Sequence, residues 1–359
     1  MKPIRIILLI NLTESFGRNV IRGIKRYSDI FGPWSFCKIP PIYDKYSQDE
    51  IIAFAEKWQA HGIIGQFNTD HEVNRFLDKG LHVIAVDFKQ QFTEVSNISG
   101  DYIKSGELAA NYFLSKGYKH FAFYGNNNAV WSRQREKGFK ETLKQRGHAI
   151  ATYFSKQNKN HKFWYYTPSP LQDWLLSLPK PTAIFACDDN RAEHVLEAAK
   201  LAKLHVPEEL AVLGVDNDEI ICHYTIPPLS SIVQDEENGG FRAAELMHRM
   251  VNENQIIKED IILNPIQIIS RRSTESMAID DPHIKKILIF ISENLDKPLN
   301  VTDLVELVPL SRRGLEKKFL KEIGHSLYSE IQYQRMEKVI TLLLDSNLSI
   351  NEISMVCGY

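Results

Sequence analysis

Four polar residues follow two hydrophobic runs of the sequence, at positions suited to binding a polyhydroxyl ligand. Asp188 and Asp189 come directly after the run AIFAC, and Asp216 with Asn217 comes directly after AVLGV. Both runs are typical of buried strands, and the carboxyl ends of adjacent parallel strands meet at one crevice. Carboxylates in such a crevice accept hydrogen bonds from vicinal hydroxyls. A single aspartate after a strand is usually a helix cap, so only the combination indicates a binding site.

A second loop supplies aromatic and cationic groups. The stretch GNNNAVWSRQREKG, residues 125–138, places Trp131, Arg133 and Arg135 at the start of a predicted helix. A sugar ring stacks its apolar C–H face on an aromatic ring, while a guanidinium donates hydrogen bonds to its hydroxyls. A solvated loop without a ligand is an equally weighted alternative.

A third loop, residues 11–17, follows the first apolar run of the chain. It presents Ser15 and Phe16 at the start of the next predicted helix. Ligand contact and a simple strand-to-helix turn are nearly equal interpretations, because both occupy the carboxyl end of a strand.

Alternating apolar runs and amphipathic segments must position these loops. The first run, IRIILLI, has too few residues to span a membrane and is typical of a buried parallel strand. The alternation predicts a doubly wound α/β fold, repeated from about residue 120 to give a second region of the same kind. We predict strands at 4–10, 34–39, 61–66, 81–86, 120–124, 149–154, 183–186, 210–215 and 266–271. We predict helices within 11–32 and at 51–58, 73–77, 101–115, 133–146, 171–178, 191–201 and 239–251.

Composition is that of an ordinary globular protein. The 359 residues suffice for two or three domains, and a net charge of −2 argues against a polybasic protein. It does not exclude DNA binding, since one basic face is enough. The four cysteines form no CxxC pair, which favours a reducing, cytoplasmic setting. We expect no cofactor and no metal.

The carboxyl-terminal part of the chain predicts a helix-turn-helix. Val301, Leu304 and Val305 have helical spacing, and Ser311 is placed to cap a second helix that ends at Gly324. A basic outer face on the second helix suits the major groove, although a hairpin with a solvated face is equally weighted. The predicted DNA-contacting residues are Ser311, Arg312, Arg313, Glu316, Lys317 and Lys321, while Leu315, Phe319 and Ile323 are predicted to face the core.

A longer helix at 328–344 and the segment LSINEISMVCGY, residues 348–359, extend this pattern. Ser349 and Glu352 form a capping box, and the layout resembles AraC-type DNA-binding domains with two helix-turn-helix units. The resemblance implies a second recognition helix after Tyr359, so we expect this domain to be incomplete at its carboxyl end. We divide the chain into an effector domain, 1–272, a linker, 273–282, and an all-α DNA-binding domain, 283–359.

The α/β part resembles the effector domain of the lactose-repressor family, a relative of periplasmic sugar-binding proteins. The motifs that carry the resemblance are REKGF, the Asp pair after FAC, the GVD of GVDND, and PPLSS. The resemblance implies a two-lobed fold and assigns effector binding to Arg135, Asp188 and Asp216. The family usually has Asn where this chain has Asp188, which favours ligands that donate from hydroxyls over anionic ligands.

An effector domain of this type followed by an AraC-type domain is found in regulators of pentose catabolic genes. The motifs FAFYG, DWLLSLP, GVDNDE and RRST strengthen this resemblance. It implies D-xylose or a related neutral pentose as effector, promoter DNA and RNA polymerase as partners, a homodimer, and activation of transcription.

The sequence leaves two alternative functions. An enzyme is disfavoured because no GxGxxG follows a strand, no GxSxG or HExxH is present, and His194 with Glu197 lacks a third metal ligand nearby. A sugar receptor of a transport system shares the α/β fold but has no use for the helical segment.

Overall fold

The computed structural model describes residues 3–39, 47–86, 89–154, 170–275, 281–297, 299–345 and 348–358. The strands are β1 Ile4–Leu9, β2 Trp34–Lys38, β3 Gly62–Gln66, β4 His82–Val86, β5 Ser96–Gly100, β6 His120–Gly125, β7 Ile150–Phe154, β8 Thr182–Ala186, β9 Leu210–Val215, β10 Ser230–Gln234, β11 Ile261–Leu263 and β12 Pro265–Ile269. The helices are α1 Ser15–Phe31, α2 Gln48–Trp58, α3 Asp70–Leu77, α4 Tyr102–Ser115, α5 Val130–Gln145, α6 Pro170–Ser177, α7 Asp189–Leu201, α8 Glu219–Tyr224, α9 Glu236–Glu253, α10 Pro282–Glu293, α11 Val301–Glu306, α12 Arg312–Ile323, α13 Leu327–Asp345 and α14 Ile350–Val356.

The first lobe is built on a parallel six-stranded sheet in the order β11-β5-β4-β3-β1-β2. Strand β1, which lies between β3 and β2, is buried on both faces, and this explains the unbroken apolar run. Ile6 packs in the core beneath α1 and α9, whereas Ile7 packs in the core beneath α2 and α3. The two opposed cores confirm the doubly wound prediction for this lobe.

The second lobe has a six-stranded sheet in the order β12-β10-β9-β8-β6-β7. Its strands are parallel except for β12, which pairs antiparallel with β10. The short buried runs of β8 and β9 lie beside each other, so their carboxyl ends adjoin as the sequence predicted. Asp188 and Asp216, which follow these two strands, therefore lie at the same edge of the sheet.

The lobes are not consecutive in sequence, which corrects the expected division near residue 120. The chain crosses from β5 to α4, returns from β10 to α9, and crosses again from β11 to β12. Helix α4 therefore packs on α5 of the second lobe. Glycines permit this close packing, because a Cβ at Gly106 would stand 2.2 Å from the Arg135 carbonyl oxygen, and a Cβ at Gly138 would stand 2.1 Å from that of Ile103.

Three strands and one helix, β5, β10, β11 and α8, were missed from the sequence. Strand β5, SNISG, carries buried polar residues rather than an apolar run. The Asn97 side chain is satisfied by the Phe92 carbonyl at 2.8 Å and by the Asp260 carboxylate at 2.9 Å. Long-range partners of this kind remove the cost of burying polar groups, and no local pattern reveals them.

A separate helical core follows the two lobes. Ile284 and Leu288 of α10 pack with Leu315, Phe319 and Ile323 of α12, which confirms the predicted inner face of α12. Ser311 caps α12 by accepting a hydrogen bond from the Gly314 N–H at 3.2 Å. The capping box of Ser349 and Glu352 is present at the start of α14.

The predicted linker starts too early. Ser273 and Thr274 lie in a short 3-10 helix that is buried against the second lobe. The Ser273 hydroxyl donates to the Val212 carbonyl at 2.7 Å, so both residues belong to that lobe. Residues 276–280 lie outside the described part of the chain, and α10 begins at Pro282 with Asp281 as its cap.

Candidate ligand cleft and DNA-reading helix

A cleft lies between the two lobes. The first lobe contributes Glu14 and Phe16, at the start of α1, and Gln66, at the end of β3. The second lobe contributes Tyr102, Trp131, Arg135, Asp188 and Asp216.

Arg135 is fixed in the floor of the cleft, with only 3% of its surface exposed. It donates a hydrogen bond from Nη1 to the Cys187 carbonyl and pairs through Nη2 with Asp216 Oδ1 at 3.3 Å. Its guanidinium lies 5.2 Å from the Tyr102 ring centre and 5.3 Å from that of Trp131. Ion pair, hydrogen bond and aromatic contacts together hold the guanidinium in one orientation.

Asp216 directly follows β9 and has a left-handed conformation, with φ of +96°. Such a φ is uncommon for a residue with a side chain and marks a position held by its surroundings. The Asp216 N–H donates to the Ile232 carbonyl at 2.9 Å, and Oδ1 also accepts from Gln234 Nε2 at 2.9 Å. Burial raises the pKa of Asp216, while the Arg135 charge acts to lower it.

Asp188 lies two residues after the end of β8 and caps α7. Its Oδ1 accepts a hydrogen bond from the Arg191 N–H at 2.7 Å, and Oδ2 pairs with the Arg191 guanidinium. That guanidinium also lies 6.0 Å from the Trp131 ring centre. The cleft therefore contains two aspartates, each joined to an arginine, beside one indole ring.

A third carboxyl group, that of Glu14, lines the same cleft from the first lobe. Burial of the carboxyl group, then the charges of Asp188 and Asp216, raise the pKa of Glu14 to about 7. Carboxyl groups dominate this surface, so it disfavours an anionic ligand and offers acceptors to hydroxyl groups.

Helix α12 presents its charged residues to solvent. Arg312, Arg313, Glu316 and Lys317 are exposed on the face opposite the core, and Arg312 Nε pairs with Glu316 Oε1 at 3.0 Å. Leu320 is also exposed, at 54%. The short helix α11 precedes α12, in the order predicted for a helix-turn-helix.

Comparison with known proteins identifies the family. A family model described as a periplasmic binding protein-like domain matches residues 110–274. A xylose operon regulatory protein of Haemophilus influenzae is 30% identical over 365 residues, with 99% of this chain and 92% of the relative covered. The chain belongs to the family of xylose operon regulatory proteins.

Other members support the same assignment. The xylose operon regulatory protein of Escherichia coli strain K12 is 29% identical, with 99% of this chain and 91% of the relative covered. The solved structure of the xylose-binding transcription activator xylR matches with a TM-score of 0.65 at 29% identity, over 99% of this chain and 91% of that one. The likeness to this xylose-regulator family thus includes the helical domain as well as both lobes. These relatives are regulators, not enzymes.

Five of the nine residues predicted to bind the effector line the cleft of this family member: Phe16, Trp131, Arg135, Asp188 and Asp216. Arg133 does not, because its guanidinium is bound to the carbonyls of Asn127 at 2.7 Å and Lys89 at 3.1 Å. The contact with Lys89 joins the first turn of α5 to the first lobe.

Asp189 also lies outside the cleft, which corrects its predicted role. It is buried, with Oδ1 accepting from the Ser231 hydroxyl at 2.6 Å and Oδ2 from the Asp218 N–H at 2.7 Å. Burial, then the charge of Asp216, raises the pKa of Asp189 well above its usual value. Asp189 thus fixes the β9–α8 loop that carries Asp216.

Ser15 and Asn217 were likewise predicted to bind the effector, but both line a different groove, on the outer side of the β9–α8 loop. The Ser15 hydroxyl donates to the Asp216 carbonyl at 3.3 Å, and the Asn217 side chain accepts from Arg271 at 2.9 Å. Both residues therefore support the loop behind the cleft.

Three lining residues were missed: Glu14, Gln66 and Tyr102. Gln66 is the last residue of β3 and could have been found by the strand-end rule that selected the aspartates. Glu14 directly precedes two residues that were selected. Tyr102 had no signal, because its place depends on the crossing from β5 to α4.

Lys321 differs from the other predicted DNA contacts. It lies at the end of α12 in a crevice between the helical domain and the second lobe, together with Arg146 and His148. This position makes it a residue of the domain boundary. Within the described ranges, no helix is long and apolar enough to cross a membrane, and no cluster of metal-binding side chains is found.

Proposed function

We propose that the protein is a DNA-binding transcriptional regulator that binds a neutral pentose, D-xylose or a close relative, in the cleft between its lobes and activates pentose catabolic genes. The observation that carries the proposal is the pairing of two arginine-bound aspartates with the Trp131 ring in one small cleft. The family supports it, since one solved member is described as a xylose-binding transcription activator.

The cleft chemistry favours hydroxyl groups. An ionised carboxylate has about four acceptor positions, so Asp188 and Asp216 retain acceptor capacity beyond their arginine contacts. Hydrogen bonds to charged groups contribute about 1.5–3 kcal/mol each. A sugar acid would instead place its carboxylate near Glu14, Asp188 and Asp216, which disfavours it.

The cleft draws its residues from both lobes, so a sugar bound there contacts both. A ligand that binds the closed arrangement of the lobes more tightly than the open one shifts the protein toward the closed arrangement. The second lobe also holds the chain segment that leads to the helical domain. Tyr112 hydrogen-bonds Ser270 at 2.8 Å and Thr274 at 2.7 Å, immediately before the linker. We propose that closure of the lobes is transmitted to the helical domain through this segment, which Tyr112 holds against the second lobe.

The DNA-binding part of the proposal concerns α12. Its exposed Arg312, Arg313 and Lys317 supply phosphate or base contacts, with Ser311 and Glu316 at the same face. By family resemblance the active form is a cytoplasmic homodimer that acts with RNA polymerase.

A thermal-shift panel tests the ligand class. The chain is heated with D-xylose, L-arabinose, D-ribose, D-glucose or the sugar acid D-xylonate. A ligand at about 100 times its Kd stabilises the folded state by about 2.7 kcal/mol, which raises the Tm by several degrees. We expect at least one pentose to stabilise the effector domain and D-xylonate to have no effect. Stabilisation by D-xylonate alone would refute a cleft for neutral sugars.

A further inference from the structure

Glu14 occupies a helix-capping position without capping the helix. It directly precedes α1, with φ of −105° and ψ of 148°, yet its side chain accepts no hydrogen bond from the first turn. The residues preferred at this position, Ser, Thr, Asp and Asn, accept from those N–H groups, and glutamate is not among them. Glu14 instead lines the cleft, across from Asp188 and Asp216 of the second lobe.

The charged groups around Glu14 leave it without an ion-pair partner within the described ranges. Arg191 is bound to Asp188, and Arg135 to Asp216. Arg18, one turn along α1, pairs with Asp218 at 2.5 Å. Three nearby cations are therefore occupied by other carboxylates, while two of those carboxylates face Glu14 itself.

We propose that Glu14 is a specificity-determining residue of the cleft, which donates a hydrogen bond to a sugar hydroxyl from its neutral carboxyl group. The inference rests on the proposed function, because it takes a neutral sugar as the ligand. Asp188 and Asp216 supply acceptors, and the arginines beside them already donate to carboxylates. A neutral Glu14 adds a donor directed at the ligand.

The environment of Glu14 supports the neutral form. Glu14 lines the cleft, where burial of its carboxyl group and then the charges of the two facing aspartates raise its pKa to about 7. A sugar that displaces the remaining water disfavours the charged form further. Sugar binding therefore takes up a proton where free Glu14 is ionised. Affinity is greatest below about pH 7 and falls as the pH rises above it.

The test compares three proteins by calorimetry with D-xylose at pH 6 and pH 8. If only the neutral form binds, the wild-type Kd rises about tenfold between these pH values, because the competent fraction falls in that proportion. Glu14→Gln keeps the shape and the donor without the charge, so its Kd should match wild type at pH 6 and stay nearly constant to pH 8. The control Asp29→Asn removes an exposed carboxylate that pairs with Lys25 on the same helix, and it should retain the tenfold change.

Different failures are distinguishable. A wild-type Kd independent of pH, or one that falls with rising pH, would overturn the role of neutral Glu14 and leave the sugar site intact. The same would follow if Glu14→Gln kept the wild-type pH dependence. Titration of wild type at pH 8 in two buffers of different ionisation enthalpy gives an independent readout: we expect net proton uptake on binding. Failure of the wild type to bind any pentose at pH 6 would refute the proposed function and this inference together.

Discussion

Replacing Asp216 by Asn is the most informative change at the cleft. Asp216 faces the cleft and accepts hydrogen bonds from both Arg135 and Gln234. Alanine would leave the buried Arg135 charge unpaired, and breaking a buried pair in this way costs about 3–5 kcal/mol of stability. Asparagine retains one carbonyl oxygen toward Arg135 and removes the charge, so it tests binding with less damage to the fold.

The expected loss of affinity follows from the hydrogen bonds that the carboxylate offers. One hydrogen bond to a charged acceptor contributes about 1.5–3 kcal/mol, and about 1.4 kcal/mol corresponds to a tenfold change in Kd. Asp216→Asn should therefore weaken pentose binding by about one to two decades. The neighbouring change Asp189→Asn is the matched control. The single oxygen of asparagine can accept from only one of the two donors, the Ser231 hydroxyl or the Asp218 N–H, so one hydrogen bond is lost or reversed at a cost of about 1–3 kcal/mol of stability.

Calorimetry with D-xylose measures the Kd of both variants, and thermal melting without sugar measures their stability. We expect Asp216→Asn to lose affinity with a small change in Tm, and Asp189→Asn to lose Tm with a smaller change in affinity. Unchanged affinity in Asp216→Asn would remove this carboxylate from sugar recognition. Greater loss of affinity in Asp189→Asn than in Asp216→Asn would mean that loop position, and not direct contact, governs binding.

Three further predictions concern α12 and the buried acids. Arg313→Ala should either reduce the salt dependence of DNA binding by about 0.9 in slope or relax base preference at one position by about 1–3 kcal/mol, measured by fluorescence anisotropy at several salt concentrations; unchanged slope and specificity would show that α12 is misassigned. Exposed Leu320 should contact a thymine methyl group, so uracil at that position should weaken wild-type binding by about 0.8 kcal/mol, or about fourfold, and have little effect on Leu320→Ala; an equal effect on both proteins would contradict the contact. Burial, then Asp216, raises the pKa of Glu236 well above its usual value, so the folded state retains a proton that the unfolded state loses and stability falls as the pH rises from about 4.3. Glu236→Gln should therefore lose less unfolding free energy between pH 5 and pH 8 than wild type, measured by urea denaturation, and a larger loss would contradict the sign.

The sequence predicted those elements in which the pattern of nearby apolar residues shows which side is buried. The run of β1 is apolar because both faces are covered, and the inner face of α12 repeats at helical spacing. In contrast, the buried polar residues of β5 form hydrogen bonds with distant partners such as Asp260, which lies more than 160 positions away in the sequence. The three crossings between lobes depend on such long-range pairing, so a local reading divided the lobes wrongly.

The site residues could likewise be predicted only where local order along the chain determines their position. Asp188 and Asp216 were found because strand ends converge in parallel sheets, a rule that needs only the order of the elements. The rule could not separate Asp188 from Asp189, since adjacent residues point in different directions after a strand. Glu14 and Tyr102 were missed because their role depends on how one lobe faces the other.

The central claim is that a sugar held between the lobes controls DNA binding by the helical domain. Its most direct test is a DNA titration with and without saturating D-xylose, on a fragment selected by the wild-type chain from a random library. Allosteric coupling is typically about 1–3 kcal/mol, so we expect the sugar to tighten DNA binding by about 5- to 150-fold, with the effect displaced to higher sugar concentration in Asp216→Asn. Equal DNA affinities with and without a sugar that calorimetry shows to be bound would contradict the account.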